Sequence, residues 1–204
     1  MSLSELYSNS TSVSDFCESY FEYFSSKLRD AKLIQSCSDV LNTLTTISGD
    51  GGRIYFCGNG GSASTANHFA ADIGNNTRSD GYPAMITESL CSNEALVTAI
   101  GNDYGYSKLF VRQLEDKLSS RDCVVAISAS GNSPNVLEAI SFAKELGATT
   151  IGLTGFDGGK LRDLADINFH APFEKGEYGP VEDYHLMLNH FIVSTLRLQR
   201  LGHP

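Results

Sequence analysis

The chain has 204 residues, 41% hydrophobic and 19% charged, and its 15 Lys and Arg against 24 Asp and Glu leave a net charge of −9. That is a globular composition rather than a disordered one, at a length that suits one domain with a sizeable core. The acidic balance argues against a broad nucleic-acid or membrane-surface partner, and no apolar run nears the ~18 residues of a bilayer span.

Residues 14–47 read as helical. Phe16, Tyr20, Tyr23 and Phe24 fall at spacings of three and four, as do Leu28, Ala31 and Leu33-Ile34. Gly49-Asp50-Gly51-Gly52 ends that region. A β-prone run at 53–57 predicts a strand, followed by Gly58-Asn59-Gly60-Gly61-Ser62 and a helix over 63–73. Further strands are predicted at 84–87 and 122–128. Ser130-Gly131-Asn132-Ser133-Pro134 then opens a helix that ends near Gly147. Pro suits a first helical turn and Gly the position just past a helix end. A strand at 149–153, a helix at 158–164, a strand at 166–170 and a helix at 181–200 complete the chain. The last helix carries Leu186, Leu188, Phe191, Ile192 and Leu196 at helical spacing.

Strands alternating with helices imply βαβ units and a parallel sheet covered on both faces. The chain is taken as one domain, 1–204, with a helical segment at about 1–50 and an α/β core at about 51–204. The N-terminal helices have no sheet of their own, so they pack on that core or on another subunit. The opening residues show neither a basic stretch nor an apolar one, so no secretory signal is expected. Cys17, Cys37, Cys57, Cys91 and Cys123 are odd in number and contain no Cys-x-x-Cys. Cys57 and Cys123 sit in apolar runs and read as small buried hydrophobes in a reducing cytosol.

Two loops carry chemistry. Gly58–Ser62 and Ser128-Ala129-Ser130-Gly131-Asn132-Ser133 each lie between a strand and a helix. Open α/β sheets bind ligands at the carboxyl ends of their strands. A helix N-terminus offers unpaired NH groups and a positive dipole end, Ser hydroxyls are neutral donors, and Gly allows close approach. Both loops are candidate anion sites, although Ser and Asn are also ordinary helix caps. Neither is a Walker A loop. Gly58-x-Gly60-Gly61 is not a dinucleotide fingerprint either, because residue 63 is Ala. His68 and Asp72, four apart on a predicted helix, share one face and could share a metal or a substrate. The plainer alternative is a packing His and a surface Asp.

Five motifs occur in order. They are Gly58-Asn59-Gly60-Gly61-Ser62, Asn67-His68-Phe69-Ala70, Ala99-Ile100-Gly101-Asn102-Asp103-Tyr104-Gly105, Ser128-x-Ser130-Gly131-Asn132-Ser133-x-Asn135-Val136 and Gly152-Leu153-Thr154-Gly155-x-Asp157-Gly158-Gly159-Lys160. Over about residues 14–200 this set resembles the sugar isomerase (SIS) domain family, and within it the phosphoheptose (sedoheptulose-7-phosphate) isomerases. The resemblance implies a flavodoxin-like, doubly wound, five-stranded parallel sheet. It implies a sugar phosphate held by Asn59, Gly60, Gly61, Ser62, Ser128, Ala129, Ser130 and Ser133, with further contacts from Asp72, Ser92, Asn93 and Glu182. It implies a divalent cation, zinc, on His68, Asp72, Glu182 and His190, with Asp72 as base and His190 as its acid/base partner. It also implies a cytoplasmic homotetramer with active sites between subunits.

The implied reaction is aldose–ketose isomerisation through an enediol, sedoheptulose 7-phosphate giving D-glycero-D-manno-heptose 7-phosphate. Four positions depart from the family's usual residues. Asp72 stands for a longer Glu, Glu182 for Gln, Asn93 for Asp and Ala129 for Thr. These departures point to a related branch, so another seven- or eight-carbon ketose phosphate is the nearest alternative. A non-catalytic protein that senses sugar phosphate or binds a replication initiator is the alternative of a different class. One physical difficulty concerns the metal set. Eight helical positions span ~12 Å, so Glu182 and His190 of one chain do not easily meet on one ion. Either Glu182 precedes the regular helix or the site draws on different subunits. Glu182 and His185 have the Glu-x-x-His spacing of a helical metal pair, which makes His185 a reserve ligand or else a packed His. Asp103, Asp157 and Lys160 read as structural.

Overall fold

The computed structural model describes residues 2–28, 30–79, 81, 82 and 84–201. Three helices come first: α1 (Leu3–Asn9), α2 (Val13–Lys27) and α3 (Ala31–Gly49). The helical stretch expected over 14–47 is divided, because Asp30 caps a new helix by accepting from Lys32 N and Leu33 N. Then follow β1 (Arg53–Gly58), α4 (Gly61–Ala71), a π-helical turn over Asp72–Asn76, and β2 (Ile86–Ser89). Helix α5 (Glu94–Tyr104), a 3-10 turn at Tyr106–Lys108 and α6 (Val111–Leu114) lead to β3 (Cys123–Ser128). The chain ends with α7 (Pro134–Glu145), β4 (Thr149–Gly155), α8 (Gly159–Leu164), β5 (Ile167–Ala171) and α9 (Tyr178–Arg200).

The five strands form one parallel sheet in the order β2-β1-β3-β4-β5. This is the flavodoxin-like doubly wound order. Alternation along the strands divides the core. Ile54, Phe56, Val125, Ile127, Ile151 and Leu153 face α3, α4 and α9, whereas Tyr55, Cys57, Val124 and Ala126 face α5, α6 and α7. Cys57 and Cys123 are buried as expected, and all five cysteines are free. β2 begins two residues later than predicted, because pairing with β1 sets its register at Arg53↔Ile86.

The N-terminal helices lie on the α/β body of their own chain. α3 buries Leu33, Val40, Leu41, Leu44 and Ile47 against the sheet. Phe24 of α2 packs on Phe173 and Tyr184. Glu177, at the head of α9, fastens the rest. Its carboxylate accepts from Leu3 N at 2.6 Å, Tyr23 Oη at 2.9 Å and Glu174 N at 3.1 Å. Among the described residues no helix is long and apolar enough to cross a membrane.

Candidate active site

At the sheet's switch point β1 and β3 are neighbours whose following helices go to opposite faces, which leaves a crevice at their carboxyl ends. A cleft of about 190 Å³ opens there. Its walls are Asn59 and Ser62 after β1, Ser128, Ala129, Ser130 and Ser133 after β3, and Tyr178 and Glu182 of α9. The two loops are tied by a reciprocal amide pair. Asn59 Nδ2 donates to Asn135 Oδ1 at 2.9 Å, and Asn135 Nδ2 donates to Asn59 Oδ1 at 2.8 Å. Tyr106 Oη donates to the same Asn59 oxygen at 2.9 Å. Ser128 and Ser133 hydroxyls lie 3.2 Å apart.

Two helix N-termini border this cleft. α1, α2, α3 and α5 each carry a side-chain N-cap, but α4 and α7 do not. The first NH groups of α4 and the positive dipole ends of both helices are left for a ligand, whereas α7 opens with Pro134, which has no NH, and its Val136 N donates to Asn135 Oδ1 at 3.0 Å. Gly60 reaches this geometry at φ 56°. Gly61 lets α4 pass directly beneath Glu182, since a Cβ there would meet the Glu182 carboxylate unless that side chain moved aside. Burial, and then the charge of Asp183, push the Glu182 carboxyl above its ordinary value.

α4 and α9 leave the cleft side by side. Gly61 lies under Glu182 at one end, and His68 meets His190 at the other with ring centroids 5.2 Å apart. His68 Nε2 is 3.1 Å from Asp72 Oδ2. That oxygen also accepts from Asn189 Nδ2 at 2.9 Å, while Asp72 Oδ1 accepts from Asn76 Nδ2 at 3.0 Å. One ligand atom from each of His68, Asp72 and His190 lies within 4.8 Å of the others, close enough for one ion. Two imidazoles and a carboxylate suit a divalent transition metal.

Glu182 does not join that group of three in this chain. α9 is already regular helix at Tyr178, so the idea that Glu182 precedes the helix is corrected, and the ~12 Å separation stands. Ser92 and Asn93 lie after β2 and are not among the cleft's walls. Ser92 Oγ donates to Ser89 O at 2.9 Å, and Asn93 caps α5 by accepting from Leu96 N at 3.0 Å. His185 is fully buried and its Nε2 meets Thr154 O at 3.0 Å, so it is a packed His rather than a ligand. Burial, and then the charge of His170, lower its pKa to about 4.

The sequence reading did not single out Asn189, Asn76, Tyr178 or Tyr106. Tyr178 could have been found one helical turn before Glu182. Asn189 directly precedes His190, on a face otherwise apolar.

Residues 19–155 match the SIS domain family. A phosphoheptose isomerase of Aliarcobacter butzleri is 39% identical over 172 residues, covering 81% of this chain and 88% of that protein. One of Burkholderia pseudomallei is 35% identical over 175 residues, covering 86% and 87%. The solved phosphoheptose isomerase GmhA from Neisseria gonorrhoeae aligns with a TM-score of 0.81 at 29% identity, over 91% of this chain and 98% of that one. With the parallel sheet, the loops after β1 and β3 and these likenesses all in agreement, the chain belongs to the SIS domain family.

Proposed function

We propose that the chain is an aldose–ketose isomerase of a sugar phosphate, converting sedoheptulose 7-phosphate to D-glycero-D-manno-heptose 7-phosphate. One observation carries this reading. A serine-lined cleft with two uncapped helix ends sits at one end of the α4–α9 pair, and an imidazole–carboxylate cluster sits at the other. From Gly61 to His68, or from Glu182 to His190, the distance along the helices is roughly 10–12 Å. An extended seven-carbon chain from C1 to its phosphorus covers about the same distance, at ~1.2 Å per bond.

In this reading the phosphate enters the cleft. Ser62, Ser128, Ser130 and Ser133 hydroxyls and the first NH groups of α4 donate to its oxygens, and the dipoles of α4 and α7 offset its charge. The Ala129 backbone NH remains a donor even though its side chain has none. Glu182, in the cleft wall over Gly61, accepts from a sugar hydroxyl near the phosphate end. Binding energy at the phosphate holds C1 and C2 beside Asp72 and His190. Asp72 takes the proton from the carbon next to the carbonyl, and an enediol forms. His190 moves the hydroxyl protons, and Asp72 returns its proton to the neighbouring carbon. His68, Asp72 and His190 would hold a divalent cation, zinc, which when bound polarises the carbonyl and steadies enediolate charge.

The same reading makes the chain one domain and a cytoplasmic homotetramer with active sites between subunits. An apolar groove of about 300 Å³, lined by Tyr20, Phe21, Phe24, Leu186 and Met187, reaches His190 and offers a face for a second copy. The test is turnover of a panel of seven- and eight-carbon ketose phosphates, with inorganic phosphate binding followed by calorimetry. Asp72→Asn and His190→Ala are each expected to lose roughly a hundredfold or more in kcat while still binding phosphate. Near-normal turnover by either variant would overturn the assignment. Wild-type protein that binds the panel but converts none of it would be a sensor instead.

A further inference from the structure

We propose that Asn189 is a positioning residue for Asp72, a buried amide that sets the plane of the carboxylate from which the proton transfer starts. The inference rests on Asp72 being the base.

Asn189 is 0% exposed, on the face of α9 that also buries Leu188, Ile192 and Val193. Its Nδ2 donates to Asp72 Oδ2 at 2.9 Å. Its Oδ1 has no hydrogen-bond partner. The orientation of the amide follows from charge. A carboxylate only accepts, so an amide turned the other way would set oxygen against oxygen. The nitrogen therefore faces Asp72, and the carbonyl is stranded in the apolar interior. A buried acceptor without a partner is destabilising, and an apolar side chain of similar volume would fill the same space without that cost. Packing therefore gives no reason for an amide here, whereas the contact to Asp72 does.

The contact has a definite consequence. Asp72 sits where α4 passes into the π-helical turn, and that turn carries Asn76, whose Nδ2 donates to Asp72 Oδ1 at 3.0 Å. One amide thus holds each carboxylate oxygen, from two different elements, and together they restrain rotation about Cβ–Cγ. His68 Nε2 stands 3.1 Å from the oxygen that Asn189 holds. An Asp reaches less far than a Glu, so its carboxylate must be held at the correct angle rather than find it by swinging. A group misplaced by an ångström costs proton transfer dearly while leaving a distant phosphate site untouched.

The experiment uses the full chain with Asn189→Leu, which removes the donor and keeps the branched shape. Asn189→Ala is a second variant in case leucine does not fit. The expected result is a roughly ten- to hundredfold fall in kcat. KM for the sugar phosphate and Kd for inorganic phosphate should stay within about twofold. The melting temperature of the leucine variant should stay within a few degrees of the wild type, the stranded carbonyl removed offsetting the donor lost by Asp72. Asn189→Ser, which keeps a donor, should recover part of the kcat. A leucine variant with wild-type kcat would overturn the role. So would a fall in kcat matched by equal losses in KM, Kd and melting temperature, which is general damage. Wild-type protein inert on every ketose phosphate would instead sink Asp72 as base, and the two failures are told apart by whether the wild type turns over.

Discussion

The first turn of α4 passes so close beneath Glu182 that one added methyl group at Gly61 collides with the carboxylate. Gly61→Ala is therefore expected to push Glu182 aside and raise KM roughly tenfold, the equivalent of about one lost charged hydrogen bond. Adding Glu182→Ala gives the methyl room, so the double variant should be less impaired than the sum of the two singles. Steady-state kinetics on all four proteins checks this, and strictly additive effects would show that the two residues do not share a space. The loops were legible from sequence because two glycine- and serine-rich turns each follow a strand and open a helix, which outweighs the ordinary capping use of either one alone. His68 and Asp72 were legible because spacing alone sets them on one helix face. Asn189 was not, since one amide on an apolar helix face gives no sign of what lies opposite. The Asn93 side chain, for its part, caps α5, a helix not foreseen.

α9 is the longest helix described, with 23 residues, and it serves both ends of the site. Its depth against the sheet is fixed in part by His185, whose Nε2 meets Thr154 O of β4. The folded protein holds this imidazole neutral down to about 4, against an ordinary 6.5. Between those values the unfolded chain binds a proton that the folded one refuses. Stability from this group is therefore complete above the ordinary value and is lost as pH falls towards the folded one, on the order of 3 kcal/mol. His185→Leu should flatten that dependence when urea unfolding is compared at neutral and mildly acidic pH. Parallel losses in both proteins would refute the link. Elements with strong periodicity or Gly and Pro punctuation were foreseen, as with α7 between Pro134 and Gly147. Boundaries set by a cap or by pairing were not. Asp30 divides α2 from α3, and β1 dictates where β2 begins.

For the whole molecule, alternating strands and helices were enough to give a parallel sheet covered on both faces, while its doubly wound, flavodoxin-like order came from the family resemblance. What covers its outer surfaces is less plain from sequence, because α2 is aromatic yet buries no residue completely. Phe21 is 63% exposed beside the groove that reaches His190. An apolar surface of that kind usually marks an interface. Light scattering should find four chains per particle. Phe21→Asp should lower that number and reduce turnover with it, whereas a fully active single-chain wild type would exclude assembly from the mechanism. The arm that carries this surface is joined to the body at Glu177, one residue before the tyrosine that walls the cleft. The cleft wall and the apolar face proposed for a second copy are consequently tied to one carboxylate, beside the packing of Phe24 on Phe173 and Tyr184. Glu177→Ala is expected to loosen both at once while leaving the serines after β1 and β3 in place.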